Sequence, residues 1–239
     1  MNSPGKIGAF FDLDGTLLAP PSLEWRFIGY LLERDEIRTQ NVTGWLAESA
    51  KALLSGGRRA VFANKHYLAG IHESVIAEWA NTITDRSLPL FIEGIDRMRR
   101  HLECGHSVLV VTGTLAPLAH SIIRLLPSSV EVRATKLEMQ DGCFTGRLCG
   151  PHLSFEEKAR VIREDAEEFN LDLFKSFAYG NEMSDAKMLE SVGNPAAVNA
   201  SWSLKREARK RGWRRYCWRD CLGEKKRAPQ SALAPKEAR

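Results

Sequence analysis

No run of apolar side chains in this 239-residue chain approaches the roughly 20 residues that a bilayer-spanning helix needs. The longest candidates lie around 108–111 and 115–126; the first is short, and the second is interrupted by Pro117, His120 and Arg124. No membrane span is expected. The opening residues, MNSPGKIGAFFDLDG, hold no leader-like apolar core. Cysteine is scarce and odd in number: Cys104, Cys143, Cys149, Cys217 and Cys221 form no cluster with histidine that would read as a zinc site or a disulfide framework. The six histidines suggest no metal cluster either. These absences predict a reduced, cytoplasmic protein. Internal repeats are also missing.

The content that remains, 44% hydrophobic and 27% charged, fits one globular domain or one domain with a smaller insert. A formal charge of +4 conceals an asymmetry: residues 204–239 carry 13 Lys/Arg against 4 Asp/Glu, so the body before them is mildly acidic. A basic segment admits nucleic acid or an anionic membrane as partner. Solvated charge is the commoner explanation, and nucleic acid is not expected here.

Residues 7–11 read as a short buried strand that ends in Asp12-Leu13-Asp14-Gly15-Thr16, a turn with two carboxylates two positions apart. Alternation along an extended chain sends both acids to one side, and Gly15 lets the backbone turn away sharply. From 22 to about 86 no strand pattern appears. Leu23, Phe27, Ile28, Leu31 and Leu32 repeat at helical spacing, as do Ile71, Val75, Trp79 and Ile83. Between them, a helix over 42–54 closed by Gly56-Gly57 and a shorter one over 61–68 are expected. Trp25, Trp45, Tyr67 and Trp79 fall among the apolar helical positions and read as the insert's own core.

From Pro89 helices and strands alternate, the sign of a parallel sheet covered on both faces. A helix through Ile92, Ile95, Met98 and Leu102, stopped by Gly105, leads to a strand over 107–111 tipped by Thr112-Gly113-Thr114. A helix over 115–126 and a strand over 130–134 follow, and Asp141-Gly142 invites a hairpin within 136–148. Ser154 and Glu157 have capping-box spacing, with Lys158 in the first turn of the helix they would open. A strand over 176–179 ends in Gly180-Asn181-Glu182-Met183-Ser184-Asp185. A helix at 188–189, a short strand at 196–198 and a basic helix over 204–211 complete the pattern. The polar stretch from 220 to 239 reads as a disordered basic tail.

Strand tips of a parallel sheet share one edge, so Asp12, Asp14, Thr112, Lys158, Asn181 and Asp185 can converge. In order and type they resemble the four motifs of the haloacid dehalogenase (HAD) superfamily of phosphohydrolases. The resemblance implies an α/β fold: a Rossmann-like parallel-sheet core over 1–19 and 88–219, with a small helical cap over 20–87 inserted after the first strand. It further implies that Asp12 is the nucleophile forming an aspartyl phosphate, and that Asp14 is first general acid and then general base. Thr112 and the Gly113 amide would bind phosphoryl oxygens, and Lys158 would neutralise charge on nucleophile and phosphate. Mg²⁺ would be held by Asp12, the Asp14 backbone carbonyl, Asp185 and Asn181. Asn181 departs from the commonest form of the fourth motif, which has Asp there, and removes one negative charge from the metal site.

The position of the insert and the hairpin segment resemble subfamily IB, the phosphoserine phosphatase-like branch. Where phosphoserine phosphatases carry a cap Glu seven residues after the second Asp, this chain has Pro21. Glu24, Arg26, Arg58, Arg59 and Lys65 are the candidate substrate contacts in the cap. The expected substrate is a small phosphorylated metabolite. Two rival readings stand: a phosphotransferase using the same intermediate, and a catalytically weak binding protein using its basic C-terminal segment.

Overall fold

A computed structural model describes residues 5–83 and 88–221, without the side chains of 55–60 and 62. Its centre is β1 (Gly8–Phe11), flanked by β2 (Ser107–Leu115) on one side and by β6 (Phe177–Gly180) on the other, all parallel. The six-stranded sheet has the order β3-β2-β1-β6-β7-β8, with β3 at Glu131–Thr135, β7 at Asn194–Val198 and β8 at Arg214–Tyr216. The chain leaves β1 for β2 on one side and later crosses to β6 on the other. Such a reversal opens a crevice at the carboxyl end of the central strand.

The period of two in β1 divides the apolar side chains between two layers. Ala9 and Phe11 join Val108, Val110, Ile95, Met98 and Leu118 in one cluster. Phe10 joins Leu109, Val111, Ile162, Met188, Leu189, Leu204 and Ala208 in the other. The first layer is covered by α4 (Ile92–Glu103) and α5 (Ala116–Ser121), the second by α6 (Glu156–Glu168), α7 (Ala186–Glu190) and α8 (Trp202–Arg211). Burial on both faces explains why these strands are nearly continuous apolar runs.

Between β1 and α4 lie α1 (Leu23–Glu33), α2 (Thr39–Phe62), a single 3₁₀ turn (His66–Leu68) and α3 (Ser74–Thr82). Gly56-Gly57 does not end α2, which runs unbroken for 24 residues. A glycine costs a helix about 1 kcal/mol relative to alanine, which weakens a helix without forbidding it. Trp25 is 66% exposed, contrary to its expected core role. The buried stripe of α1 is Leu23, Phe27 and Leu31, and Trp25 faces away from it. Trp79 is buried as expected, at a ring-centroid distance of 5.1 Å from Phe27.

The hairpin forms from β4 (Leu137–Gln140) and β5 (Cys143–Leu148), with Asp141 and Gly142 both at positive φ, 51° and 76°. Asp-Gly favours this two-residue turn. The hairpin also pairs with the helical insert: Phe144 N–H donates to Ile71 O at 2.9 Å, and Gly70 N–H donates to Phe144 O at 2.8 Å. Gly146 allows this approach, since a Cβ there would lie 2.7 Å from His66 Cα.

Other expectations shift. The helix expected over 115–126 is α5 followed by a 3₁₀ turn at Ile123–Leu125. Ser154 and Glu157 do not form a capping box: Phe155 is the N-cap, at φ 52°, and Ser154 Oγ bonds His152 Nδ1 at 3.1 Å instead. The strand β8 was not expected; its exposed Arg214 and Arg215 suit a sheet edge, where charge discourages further pairing. The expected disordered tail lies outside the described residues from 222 onward, as do the side chains of Arg58 and Arg59. Among the described residues no helix is long and apolar enough to cross a membrane.

Below the sheet's first layer, His101 is buried against Phe11 and Phe177 and bonds His106 Nδ1 and the Tyr179 hydroxyl, each at 2.9 Å. Burial, then the neighbouring His106 and Arg97, pull its pKa down to about 4. A depressed histidine pKa gives stability that is present above the unfolded value and lost as the pH falls through the folded one. Thermal unfolding of the wild type is therefore expected to worsen as the pH drops from 6.5 toward about 4. His101→Leu should show a shallower decline over that window from a lower starting Tm. Equal slopes would contradict this assignment.

Candidate active site

At the carboxyl end of β1 the Asp12 N–H donates to Tyr179 O at 2.9 Å, which fixes the first acid between β1 and β6. The chain then folds back on itself, with Gly15 N–H donating to Leu18 O at 2.7 Å and Leu17 N–H to Leu13 O at 2.8 Å. Gly15 has φ 82°, and a Cβ on it would come within 2.0 Å of Asn181 Nδ2. The turns after β1 and β6 thus meet through a glycine and an amide.

Lys158 enters from the first turn of α6 and is only 2% exposed, so it is no surface lysine. Its Nζ lies 2.6 Å from Asp12 Oδ1 and 2.7 Å from Asp185 Oδ1. The other Asp12 oxygen accepts from the Thr16 hydroxyl at 3.0 Å. The other Asp185 oxygen accepts from the backbone N–H groups of Asn181 and Glu182, at 2.9 and 3.0 Å. Asp185 thus binds back into the loop that precedes it and does not cap α7 with its side chain.

Asp14 is held separately. Its Oδ1 accepts from the Leu23 N–H at 2.7 Å, at the start of α1, and its Oδ2 accepts from the Thr114 hydroxyl. Thr112 Oγ1, buried, accepts from the Thr114 N–H at 3.1 Å. The strand β2 continues to Leu115 with an irregular register between Thr112 and Leu115, which carries this Thr-Gly-Thr tip toward Asp14. A Cβ on Gly113 would meet His152 Cε1 at 2.7 Å, so the imidazole covers Gly113.

Asp12, Asp14, Thr112, Gly113, Lys158, Asn181 and Asp185 therefore lie on this one edge, whereas the candidate contacts Glu24, Arg26 and Lys65 belong to the helical insert and the side chains of Arg58 and Arg59 lie outside the described residues. Thr16, Thr114 and His152 were not singled out. Thr16 and Thr114 sit inside the two motifs, whereas His152 follows a hairpin and has no motif around it.

The electrostatics set two buried carboxylates against a single ammonium. Asp12 and Asp185 are both buried and share Lys158. Burial and then the Asp185 charge push the Asp12 pKa up to about 7, against the pull of Lys158. Burial alone would lower Lys158, but the two carboxylates outweigh it and push its pKa up. Asp14 is also raised, by burial first, against the hydrogen bonds from Thr114 and Leu23. Among the described residues no group of three His, Cys, Asp or Glu side chains forms a metal cluster. The groups that the resemblance assigns to a metal, the Asp12 and Asp185 carboxylates, the Asn181 amide and the Asp14 backbone carbonyl, would nevertheless offer only oxygen donors. Asn181 Oδ1 lies 3.4 Å from Thr16 Oγ1, the hydroxyl that bonds Asp12. One or two carboxylates with neutral oxygens fit a hard divalent ion that keeps waters and takes phosphate oxygens. A second cation would also relieve the repulsion that raises Asp12.

A model of haloacid dehalogenase-like hydrolases matches residues 9–190. The chain is 29% identical to an "Inhibition of morphological differentiation protein" of Streptomyces azureus, over 98% of this chain and 86% of the relative. It is 32% identical to the phosphoserine phosphatase SerB1 of Mycobacterium tuberculosis, over 86% of this chain and 68% of the relative. A structure of a protein of unknown function from Bordetella pertussis Tohama I superposes with a TM-score of 0.70 at 24% identity, covering 88% of this chain and 98% of that one. A phospho-aspartyl intermediate analogue of phosphoserine phosphatase superposes with a TM-score of 0.61 at 20% identity, covering 90% and 95%.

Proposed function

The chain belongs to the haloacid dehalogenase-like hydrolase family, as a phosphatase of the phosphoserine phosphatase-like kind, and from that premise we propose that it hydrolyses a small phosphorylated metabolite with Mg²⁺ through an aspartyl phosphate on Asp12. The observation that carries this reading is the placement of the Asp12 carboxylate between Lys158 and Thr16, with Asp14 held apart from it by Thr114 and Leu23. Two acids on one turn thus have different partners, as a nucleophile and an acid/base require.

An Asp12 oxygen attacks phosphorus, and the bond from phosphorus to the leaving oxygen breaks. Asp14, whose raised pKa favours holding a proton, gives it to that oxygen. The same carboxylate then takes a proton from water, which attacks phosphorus and frees Asp12 as carboxylate along with inorganic phosphate. Thr112 and the Gly113 amide bind the phosphoryl oxygens, and Lys158 balances their charge against Asp12. Asp12, Asp185, Asn181 and the Asp14 carbonyl would hold Mg²⁺, which when bound supplies charge neutralisation to nucleophile and phosphate. Asn181 in place of an acid leaves that donor set one negative charge smaller. Residues 20–87 act as the cap over a core of 1–19 and 88–219.

Phosphate release from a panel of small phosphomonoesters, with Mg²⁺ and with a chelator, tests the reading. Release is expected without any alcohol acceptor, which separates hydrolysis from phosphotransfer. Asp185→Ala should lower turnover at saturating Mg²⁺ by about 100-fold or more. Turnover indifferent both to chelation and to Asp185→Ala would refute the metal assignment.

A further inference from the structure

Lys65 is 6% exposed, yet it touches none of the groups assigned above to the chemistry. Its ammonium lies 2.6 Å from Glu24 Oε1, and that same oxygen accepts from the Tyr67 hydroxyl. A buried ion pair adds little stability over apolar packing, because desolvating two charges offsets their attraction. Packing alone therefore does not account for this pair.

Its position in the chain points to the site. Glu24 directly follows Leu23, whose N–H binds Asp14. The Lys65 N–H donates to Gly146 O at 3.2 Å, which ties Lys65 to the hairpin whose outgoing chain carries His152 onto Gly113. Asp14 gives its proton to the leaving oxygen, so the alcohol half of the substrate must emerge beside Asp14, which feels the charge of Glu24; Glu24 in turn holds Lys65 and Tyr67, and the Lys65 and Glu24 charges both reach His152.

We propose that Lys65, steadied by Glu24 and Tyr67, is the receptor for an anionic group, a carboxylate or a second phosphate, on the alcohol half of the substrate. This rests on the phosphatase reading above. A lysine ammonium carries three donors and no acceptor, and Glu24 takes up only one of the three. The Tyr67 proton is directed to Glu24 and so does not compete for the ligand. Arg26, anchored by the carbonyls of Pro21 and Ala19 and within reach of the Asp14 charge, is a second cation on this side of the site. Burial first, and then the Lys65 charge, lower His152 to about 4, so its imidazole is neutral at neutral pH and suits a polar contact rather than a rival ion pair.

The test is kcat/KM on a matched two-carbon set: phosphoglycolate, ethanediol bisphosphate, hydroxyethyl phosphate and phosphoethanolamine. The wild type is expected to prefer one of the two substrates with an added anion over hydroxyethyl phosphate by about tenfold or more, as a charged hydrogen bond allows. Which of the two leads identifies the anion. Lys65→Met should reduce that preference to within about threefold, mainly through KM, while Lys65→Arg keeps it. Glu24→Gln, which frees the ammonium, should sharpen the preference and serves as the deciding variant if Lys65→Met melts early. A wild type that prefers the neutral or the ammonium ester overturns the proposal, as does a preference that survives Lys65→Met or weakens in Glu24→Gln. Phosphate release from other phosphomonoesters but from none of the four overturns this inference alone, whereas release from no phosphomonoester at all overturns the phosphatase reading itself and this inference with it.

Discussion

Asp12→Asn is expected to lower phosphate release by at least about 10⁴-fold, the scale seen when a nucleophile that acts as part of a unit is removed. The amide nearly preserves the shape of the carboxylate, so the Thr16 contact and the turn after β1 should persist. The amide oxygen lacks the charge needed to form the acyl phosphate. Folding should not suffer, because the Asp12 charge is already disfavoured where it lies: burial and Asp185 raise its pKa to about 7. A Tm equal to or above that of the wild type at neutral pH, together with lost turnover, is the expected pair of results. Retention of turnover within tenfold would remove Asp12 from the role of nucleophile.

Lys158→Met separates charge from packing at the same place. The wild-type ammonium touches Asp12 at 2.6 Å and Asp185 at 2.7 Å, all three groups being buried. Removing one partner of such a cluster costs about 3–5 kcal/mol, because the remaining charges lie buried without compensation. Turnover should also fall, since phosphate and nucleophile then repel without a fixed cation between them; at 4 Å and an effective dielectric near 20 one such pair costs about 4 kcal/mol. The pH dependence has a definite sign. Without Lys158 the folded pKa of Asp12, already raised by burial and by the Asp185 charge, rises further above its unfolded value, so the variant binds more protons when folded. Its stability relative to wild type should be best at acid pH and worsen as the pH rises. Mg²⁺ should raise the Tm of Lys158→Met more than that of the wild type, by mass action on the folded state. A loss of stability that does not change with pH would show that Lys158 matters for packing rather than charge.

The parts of the fold legible in the sequence are those where a local signal and a tertiary one agree. The apolar run before Asp12, the alternation of helix and strand after Pro89 and the Asp-Gly turn at 141–142 each specify one conformation. The two acids of the first turn were legible because an apolar strand ending in carboxylates has little use in a core. Lys158 was legible only through its motif, because helix position alone does not distinguish a buried lysine from a solvated one. The illegible parts depend on contacts distant in sequence. The docking of Gly70 and Ile71 on Phe144 is backbone pairing between the insert and the hairpin, which no side-chain period announces. His152 gains its place from the hairpin's return path and from the missing side chain of Gly113. Phe155 at φ 52° displaces a capping box whose spacing was correct, since Ser154 turns instead to His152. Trp25 misled because an aromatic among apolar helical positions can still lie off the stripe; its neighbour Leu23 and the residues Phe27 and Leu31 define the buried side.

The central claim is that phosphate passes through a covalent bond to Asp12. Rapid mixing with the best ester and Mg²⁺, acid quench within a turnover and peptide mass spectrometry test it most directly. The account predicts one added phosphoryl group on the peptide containing Asp12, lost on mild base treatment as an acyl phosphate is, and absent from Asp12→Asn. A wild type that turns over many equivalents of ester while no quench time shows phosphate on that peptide, or a phosphoryl group found on another residue, would contradict it.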